Sequence, residues 1–237
     1  MSEGEHPGLR VVALTVVPQI PQAVAMMLQQ RGHRLVAVLS APGPRSRRTD
    51  DYVDVVRAAP SEVDVIVSNH RERWAELIGV YQPDLLMCGG VNLKNSGGGV
   101  AGPPPGAYNM HDSLLPKYRG RNAIGWALRN DEPESGVTIH RMTADFDEGP
   151  ILAQAAYPIT DDDDVAGILQ KFGQAFFRAH AEALAKLEQG DLGVPQDPAL
   201  VTHAGGAFEE QWRSVDWLRS AREIHLQVRS WTGLRGV

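Results

Sequence analysis

The chain has 237 residues, of which 43% are hydrophobic and 22% are charged, a composition typical of a globular protein with a sizeable core. The formal net charge of -6 argues against nucleic acid as the main partner, because phosphate binding requires a basic surface. The one cysteine, Cys88, cannot form an internal disulfide, and the sequence shows neither a signal-peptide pattern nor a membrane-spanning apolar run. We therefore expect a cytoplasmic protein without a membrane partner.

The first half of the chain alternates short apolar runs with helix-length segments. The predicted strands cover residues 9–17, 33–40, 64–69 and 84–88, and the predicted helices cover residues 23–32, 51–59 and 72–81. This rhythm predicts an α/β fold with a doubly wound, mostly parallel sheet. Because ligands of such sheets bind beyond the carboxyl ends of the strands, we expect the site to follow Cys88 and Tyr108.

The turn after the first predicted strand, residues 16–22, contains two prolines and no glycine. A dinucleotide fingerprint needs glycines there so that the backbone can approach the pyrophosphate, and NAD and FAD are therefore unfavoured. Residues 89–106 are rich in glycine but lack a P-loop pattern, and we interpret them as a loop that borders the site.

The second half predicts two further strands, at residues 136–142 and 150–158, and an amphipathic helix that ends at Leu187. Four aspartates precede this helix, at residues 161–164. Contiguous carboxylates diverge from one another, so we expect them to cap the helix and expect no metal site. A linker at residues 190–198 leads to one short strand and one helix within residues 214–233.

Asn109 and His111 lie at the end of another predicted strand, where residues two apart point to the same side. An amide N–H and an imidazole that face one point suit a developing oxyanion, and histidine also exchanges protons near neutral pH. Asp145 and Asp147 are both candidates for the acid that orients the imidazole. Neither a Gly-x-Ser-x-Gly motif nor an activated cysteine is present, which favours direct attack by a nucleophile of the substrate.

Residues 109–154, NMHDSLLPKYRGRNAIGWALRNDEPESGVTIHRMTADFDEGPILAQ, resemble the core of the 10-formyltetrahydrofolate-dependent formyltransferase family. That family carries Asn-x-His, then Ser-Leu-Leu-Pro, then a distant Asp-x-Gly, and it includes methionyl-tRNA and sugar N-formyltransferases. The resemblance implies a Rossmann-like catalytic domain over residues 1–190. Residues 191–237 would then hold a short C-terminal connector, consisting of a linker and the start of a truncated or absent second domain.

The resemblance also implies residue roles. Asn109, His111 and Asp147 match the catalytic trio, and Asp145 falls outside the Asp-x-Gly position, so its implied role lies in the loop backbone. The implied folate-binding residues are Gly89, Gly90, Val91, Asn92, Thr143, Ala144, Asp145 and Phe146. The implied acceptor-binding residues are Asp112, which replaces the family's common glycine, with Ser113 and Arg119.

The expected reaction transfers a formyl group from 10-formyltetrahydrofolate to a primary amine. The negative net charge favours an amino sugar nucleotide or a biosynthetic amino compound over tRNA as the acceptor. Two alternatives stay open: a formyltetrahydrofolate hydrolase, in which water replaces the amine, and a non-catalytic folate-binding module. We further expect residues 214–231 to dock on the catalytic domain or on a second copy of it, so a homodimer also stays open.

Overall fold

The computed structural model describes residues 8–42, 51–91, 106–204 and 214–231. The chain forms two compact units, Met1–Met110 and His111–Val237. The strands in the described ranges are β1 (Arg10–Thr15), β2 (Arg34–Ser40), β3 (Asp64–Val67), β4 (Leu85–Gly89), β5 (Ala107–His111), β6 (Glu134–Arg141) and β7 (Ile151–Pro158). The α-helices in those ranges are α1 (Gln19–Gln30), α2 (Asp51–Ala58), α3 (Trp74–Gly79), α4 (Ala123–Arg129), α5 (Val165–Glu188) and α6 (Ala221–Trp231).

The first unit is a parallel array in the strand order β3-β2-β1-β4-β5. Its central strands β1 and β4 are buried along almost their whole length, as their continuous apolar runs predict. Helix α1 turns Val24 and Leu28 inward and packs on β1 and β2. This architecture confirms the predicted α/β fold with a mostly parallel sheet.

The strand order reverses between β1 and β4, and this reversal marks the point where open parallel sheets bind their ligands. Gly90, directly after β4, has a φ of 71°, and a Cβ placed on it would lie 2.6 Å from Cγ2 of Val17. Both the backbone conformation and the close neighbour therefore require glycine at this position.

The second unit pairs β6 and β7 antiparallel, and α5 packs on both strands. Asp164 caps α5 because its side chain accepts a hydrogen bond from the Gly167 N–H at 2.8 Å. Asp163 instead accepts from the Thr160 N–H at 2.6 Å and from Lys171 Nζ at 2.6 Å. The capping role predicted for the aspartate run is therefore confirmed at Asp164.

Helix α6 docks on this same unit, against α4 and α5, which confirms the predicted docking for residues 221–231, whereas Trp217 and Leu218 before the helix are exposed. Arg229 is buried there and donates to the backbone oxygens of Thr160 at 3.0 Å and Leu128 at 3.2 Å. The prediction of a short strand before this helix is wrong. Residues 214–220 form turns, in which Asp216 Oδ1 accepts from the Leu218 N–H, because a short polar side chain competes with strand pairing.

None of the described helices is both long and apolar enough to cross a membrane.

Replacing Arg229 with methionine should lower the free energy of unfolding by about 2 kcal/mol or more, because this buried side chain makes hydrogen bonds to the Thr160 and Leu128 oxygens and to Asp131 that methionine cannot make. The matched control is Arg222→Met on the same helix, whose exposed ion pairs with Asp131 and Asp161 are screened by solvent, so this variant should lose much less stability. Urea unfolding of both variants provides the measurement. Equal losses would show that Arg229 does not anchor the helix.

Candidate active site

His111 ends β5 with its side chain only 6% exposed, and one ring nitrogen has a fixed partner. Its Nε2 lies 2.8 Å from the backbone oxygen of Tyr118. A carbonyl oxygen can only accept, so Nε2 must carry the hydrogen and donate it. The nitrogen left to take up or release a proton is therefore Nδ1.

Asp147 places its carboxylate between two imidazoles. Its Oδ1 lies 3.7 Å from His111 Nδ1 and 3.5 Å from His140 Nε2, while its Oδ2 accepts from the Gly120 N–H at 2.9 Å. The Asp147 side chain is 11% exposed. A nearly buried carboxylate thus faces the proton-exchanging nitrogen of one histidine and is oriented by a backbone donor.

The turn that carries Asp147 depends on both residues of the Asp-x-Gly pattern. Asp147 has a φ of 56°, in the left-handed region that aspartate tolerates better than most residues. Gly149 lies so close to the end of β6 that a Cβ on it would come within 1.7 Å of the Arg141 oxygen. The glycine therefore allows the chain to pass against β6, and this close passage brings the carboxylate to the two histidines.

The electrostatic balance keeps Asp147 ionised. Burial raises the pKa of its carboxyl group. The hydrogen bond with His140, the charge of His111 and the Gly120 N–H outweigh this effect and lower the pKa to about 2. The carboxylate is therefore negative throughout the neutral pH range. It can stabilise a positive charge on a neighbouring imidazole.

Asp112 brings a second carboxylate to the same histidine. Its Oδ1 lies 3.8 Å from His111 Nδ1, and its side chain is 38% exposed. Asp145, by contrast, exposes its side chain, and its backbone oxygen accepts from Thr143 Oγ1 at 3.1 Å. Of the two aspartates in the loop after β6, the structure places Asp147 at the histidines.

The side chains of Ser113 and Arg119 are bonded within the chain. Ser113 is buried and donates through Oγ to the Lys117 backbone oxygen at 2.6 Å. Arg119 donates through Nη1 to Glu148 at 2.9 Å, and through Nε and Nη2 to Gln196 Oε1 at 3.1 and 2.8 Å. Their roles in acceptor binding stay predictions.

The predicted folate-binding residues lie in two loops. Those of the second unit, Thr143, Ala144, Asp145 and Phe146, are all exposed and immediately precede Asp147. In the first unit Gly89 is buried at the end of β4, Gly90 is exposed and Val91 is half-buried, while Asn92 lies outside the described residues. These binding roles stay predictions.

Asn109 is half-buried on β5 in the first unit, where it pairs with Cys88 of β4. It precedes His111 by two residues on the strand. Its role as an oxyanion donor stays a prediction.

Sequence reasoning missed two residues around Asp147. His140 lies near the end of β6 and donates through Nδ1 to the Arg141 backbone oxygen at 3.0 Å. Gln196 donates through Nε2 to the backbone oxygens of Asp147 and Gly149. A polar residue at a strand end before the Asp-x-Gly turn could have indicated His140, whereas no local pattern indicates Gln196.

Comparison with known sequences gives a family match and relatives of high coverage. The sequence model described as formyl transferase matches residues 5–184. A methionyl-tRNA formyltransferase from Pelobacter propionicus is 30% identical over 233 residues, which cover 94% of this chain and 73% of the relative.

Comparison with solved structures finds similar folds. HypX from Aquifex aeolicus in complex with tetrahydrofolic acid has a TM-score of 0.68 at 20% identity; the match covers 96% of this chain and 35% of HypX. This chain thus spans about a third of the length of HypX. An N-formyltransferase from Helicobacter canadensis, in complex with folinic acid and dTDP-3-aminofucose, has a TM-score of 0.68 at 16% identity, with 94% and 80% of the two chains covered.

The low pKa of Asp147 predicts a pH-dependent stability difference between the wild type and Asp147→Asn. Because the folded pKa of about 2 lies below the ordinary value of 3.8, the ionised carboxylate stabilises the fold. We expect a difference of about 2 kcal/mol above about pH 5, falling to about half near pH 3. Urea unfolding of both proteins across this range measures it, and a difference independent of pH would contradict the assignment.

Proposed function

We propose that this chain, which belongs to the formyl transferase family, transfers a formyl group in the cytoplasm from 10-formyltetrahydrofolate to the primary amine of a small acceptor. The observation that carries the proposal is the buried, ionised Asp147 beside Nδ1 of His111. An acid–base pair of this kind fits an acyl transfer in which an amine must lose a proton.

The reaction needs one bond to form and one to break at the formyl carbon. The neutral amine attacks that carbon, a new C–N bond forms, and the carbonyl oxygen becomes an oxyanion. The side-chain amide of Asn109 and the ring of His111 stabilise this charge. When the intermediate collapses, the bond from the formyl carbon to N10 breaks, N10 takes up a proton, and tetrahydrofolate leaves.

The histidine and the aspartate have different roles in proton transfer. Nε2 of His111 is held by the Tyr118 oxygen, so Nδ1 is the nitrogen that exchanges the proton. The carboxylate of Asp147 stabilises the positive ring and, directly or through water, helps to remove the proton that the amine loses.

Folate binding is proposed for residues 143–146 in the second unit and for residues 89–92 in the first. Residues 143–146 are exposed and precede Asp147 along the chain, and Gly90 and Val91 directly follow β4 at the reversal of strand order. Two neighbours of the same fold support a folate-type ligand, since HypX was solved with tetrahydrofolic acid and the Helicobacter enzyme with folinic acid.

For the acceptor we favour an amino sugar nucleotide or a biosynthetic amino compound. The net charge of -6 opposes binding to a polyanion such as tRNA. A second candidate acceptor is nevertheless methionyl-tRNA, because a relative that aligns over 94% of this chain is a methionyl-tRNA formyltransferase.

Removing either proposed oxyanion group should impair turnover without unfolding the protein. His111→Ala and Asn109→Ala should each lower kcat by roughly 100-fold or more, the loss typical for an oxyanion donor or acid–base group. His225→Ala is the matched control, because His225 is exposed on α6, and its turnover should equal that of the wild type. Wild-type turnover in both the His111→Ala and the Asn109→Ala proteins would remove this site from the mechanism.

A screen of separate amines identifies the acceptor. Purified protein is incubated with 10-formyltetrahydrofolate and a dTDP-linked amino sugar, an amino-acid intermediate, methionyl-tRNA or no amine, and products are read by mass spectrometry. We expect a gain of about 28 Da on a small amine, the mass of one formyl group replacing a hydrogen, in roughly one-to-one ratio with tetrahydrofolate release. Release without any amine would indicate the hydrolase, and binding without release would indicate a folate-binding module.

A further inference from the structure

We infer that Gln196 is a positioning residue for the acid–base pair formed by Asp147 and His111, an inference that rests on the proposed function. Gln196 lies on the segment after α5, residues 194–204, which contains a short 3-10 helix at Pro198–Leu200 and which we call the strap. The strap pairs with β7 at its start, where Val194 and Ile151 exchange hydrogen bonds of 2.8 Å.

The side-chain amide of Gln196 uses both its ends on the turn and the loop around the carboxylate. Its Nε2 donates to the backbone oxygens of Asp147 and Gly149, each at 2.8 Å. Its Oε1 accepts two hydrogen bonds from Arg119, at 3.1 and 2.8 Å. An amide has two N–H donors and two acceptor lone pairs, so all four are occupied and its orientation is determined.

These contacts restrain a turn that has an unfavourable backbone. A left-handed φ brings the Cβ of a residue too close to the carbonyl oxygen that follows it, and Asp147 adopts such a φ. This conformation persists when surrounding contacts over-determine it. Because Gln196 bonds the oxygens at both ends of the Asp147–Gly149 turn, it restrains the backbone from which the carboxylate projects toward His111 and His140.

The strap also holds the loop that touches both members of the pair. Thr202 accepts from the Arg119 N–H through its backbone oxygen at 2.9 Å and from the Tyr118 N–H through Oγ1 at 2.9 Å, and the Ala204 N–H donates to the Arg119 oxygen at 2.8 Å. The same loop offers the Tyr118 oxygen to His111 and the Gly120 N–H to Asp147. One segment therefore restrains the partners of both catalytic side chains.

The pKa of the Asp147 carboxyl group reports the position of its side chain. The groups that face its carboxylate are His111 on β5, His140 on β6 and the Gly120 N–H of the loop. Nearby lie Asp112, which faces the same ring nitrogen of His111, and the Arg119–Glu148 ion pair. If the turn moves, the separation between the carboxylate and the two histidines changes, and its pKa rises toward the ordinary 3.8.

The experiment compares Gln196→Glu, Gln196→Ala and the control Asp197→Ala. Glutamate keeps an acceptor for Arg119 but cannot donate to the two carbonyl oxygens, whereas alanine loses all four bonds. Asp197 is exposed on the same strap and caps only the local turn at Ala199. Both Gln196 variants should lower kcat by roughly 10-fold or more with little change in KM for the amine, and the control should match the wild type.

A second measurement follows the carbon resonance of the Asp147 carboxyl group by NMR as the pH falls, and it needs no activity. In both Gln196 variants its pKa should rise from about 2 toward the ordinary value of 3.8. An unchanged titration and an unchanged kcat in folded Gln196→Glu protein would overturn the inference, whether or not the alanine variant folds. If no form of the protein, wild type included, transfers a formyl group, the proposed function fails while the titration still decides the role of Gln196.

Discussion

A single nearly buried negative charge sets the requirements for the rest of the site. Asp147 is 11% exposed, and burial by itself would favour its neutral form. The neighbouring histidines and the Gly120 N–H outweigh that cost and keep the carboxylate ionised. Each of these groups must be held in place, because a buried charge that loses a partner is strongly destabilising. The stability of this site and the chemistry proposed for it therefore depend on the same contacts.

The partners of the carboxylate come from segments far apart in the chain. His111 ends β5, His140 lies on β6, Gly120 belongs to the loop between β5 and α4, and Gln196 belongs to the strap. No single element can orient the site alone. The geometry depends on the second unit being folded as a whole, and this links the positions of His111 and Asp147 to the global stability of that unit.

The segments after α5 contribute to this unit rather than merely following it. The strap contacts the turn of Asp147 and the loop of Tyr118, and α6 donates through the buried Arg229 to α4 and to the residues before α5. A boundary at residue 190 would separate the Asp147 turn from Gln196. The contacts of the second unit thus continue well beyond the α5 helix, which ends at Glu188.

The sequence by itself determined the features that depend on neighbours along the chain. Alternating apolar runs predict the parallel strands, Asp164 is recognisable as a helix cap, and the Asn-x-His and Asp-x-Gly patterns locate His111 and Asp147. Local spacing records which face a side chain occupies and where the backbone needs glycine, as at Gly149. It wrongly predicted a strand before α6, where an aspartate side chain favours a turn.

Only the tertiary structure decided which groups meet the carboxylate and in what state it is held. Position at a strand end left both Asp145 and Asp147 as candidates, the Asp-x-Gly pattern favoured Asp147, and the fold brings that carboxylate to His111 and His140. Gln196 reaches Asp147 across 49 residues, a contact that no local pattern encodes. The low pKa likewise arises from hydrogen bonds and charges on separate elements, which together outweigh the opposing effect of burial. Such properties depend on distances through space, and these exist only once the strands, the loop and the strap have packed together.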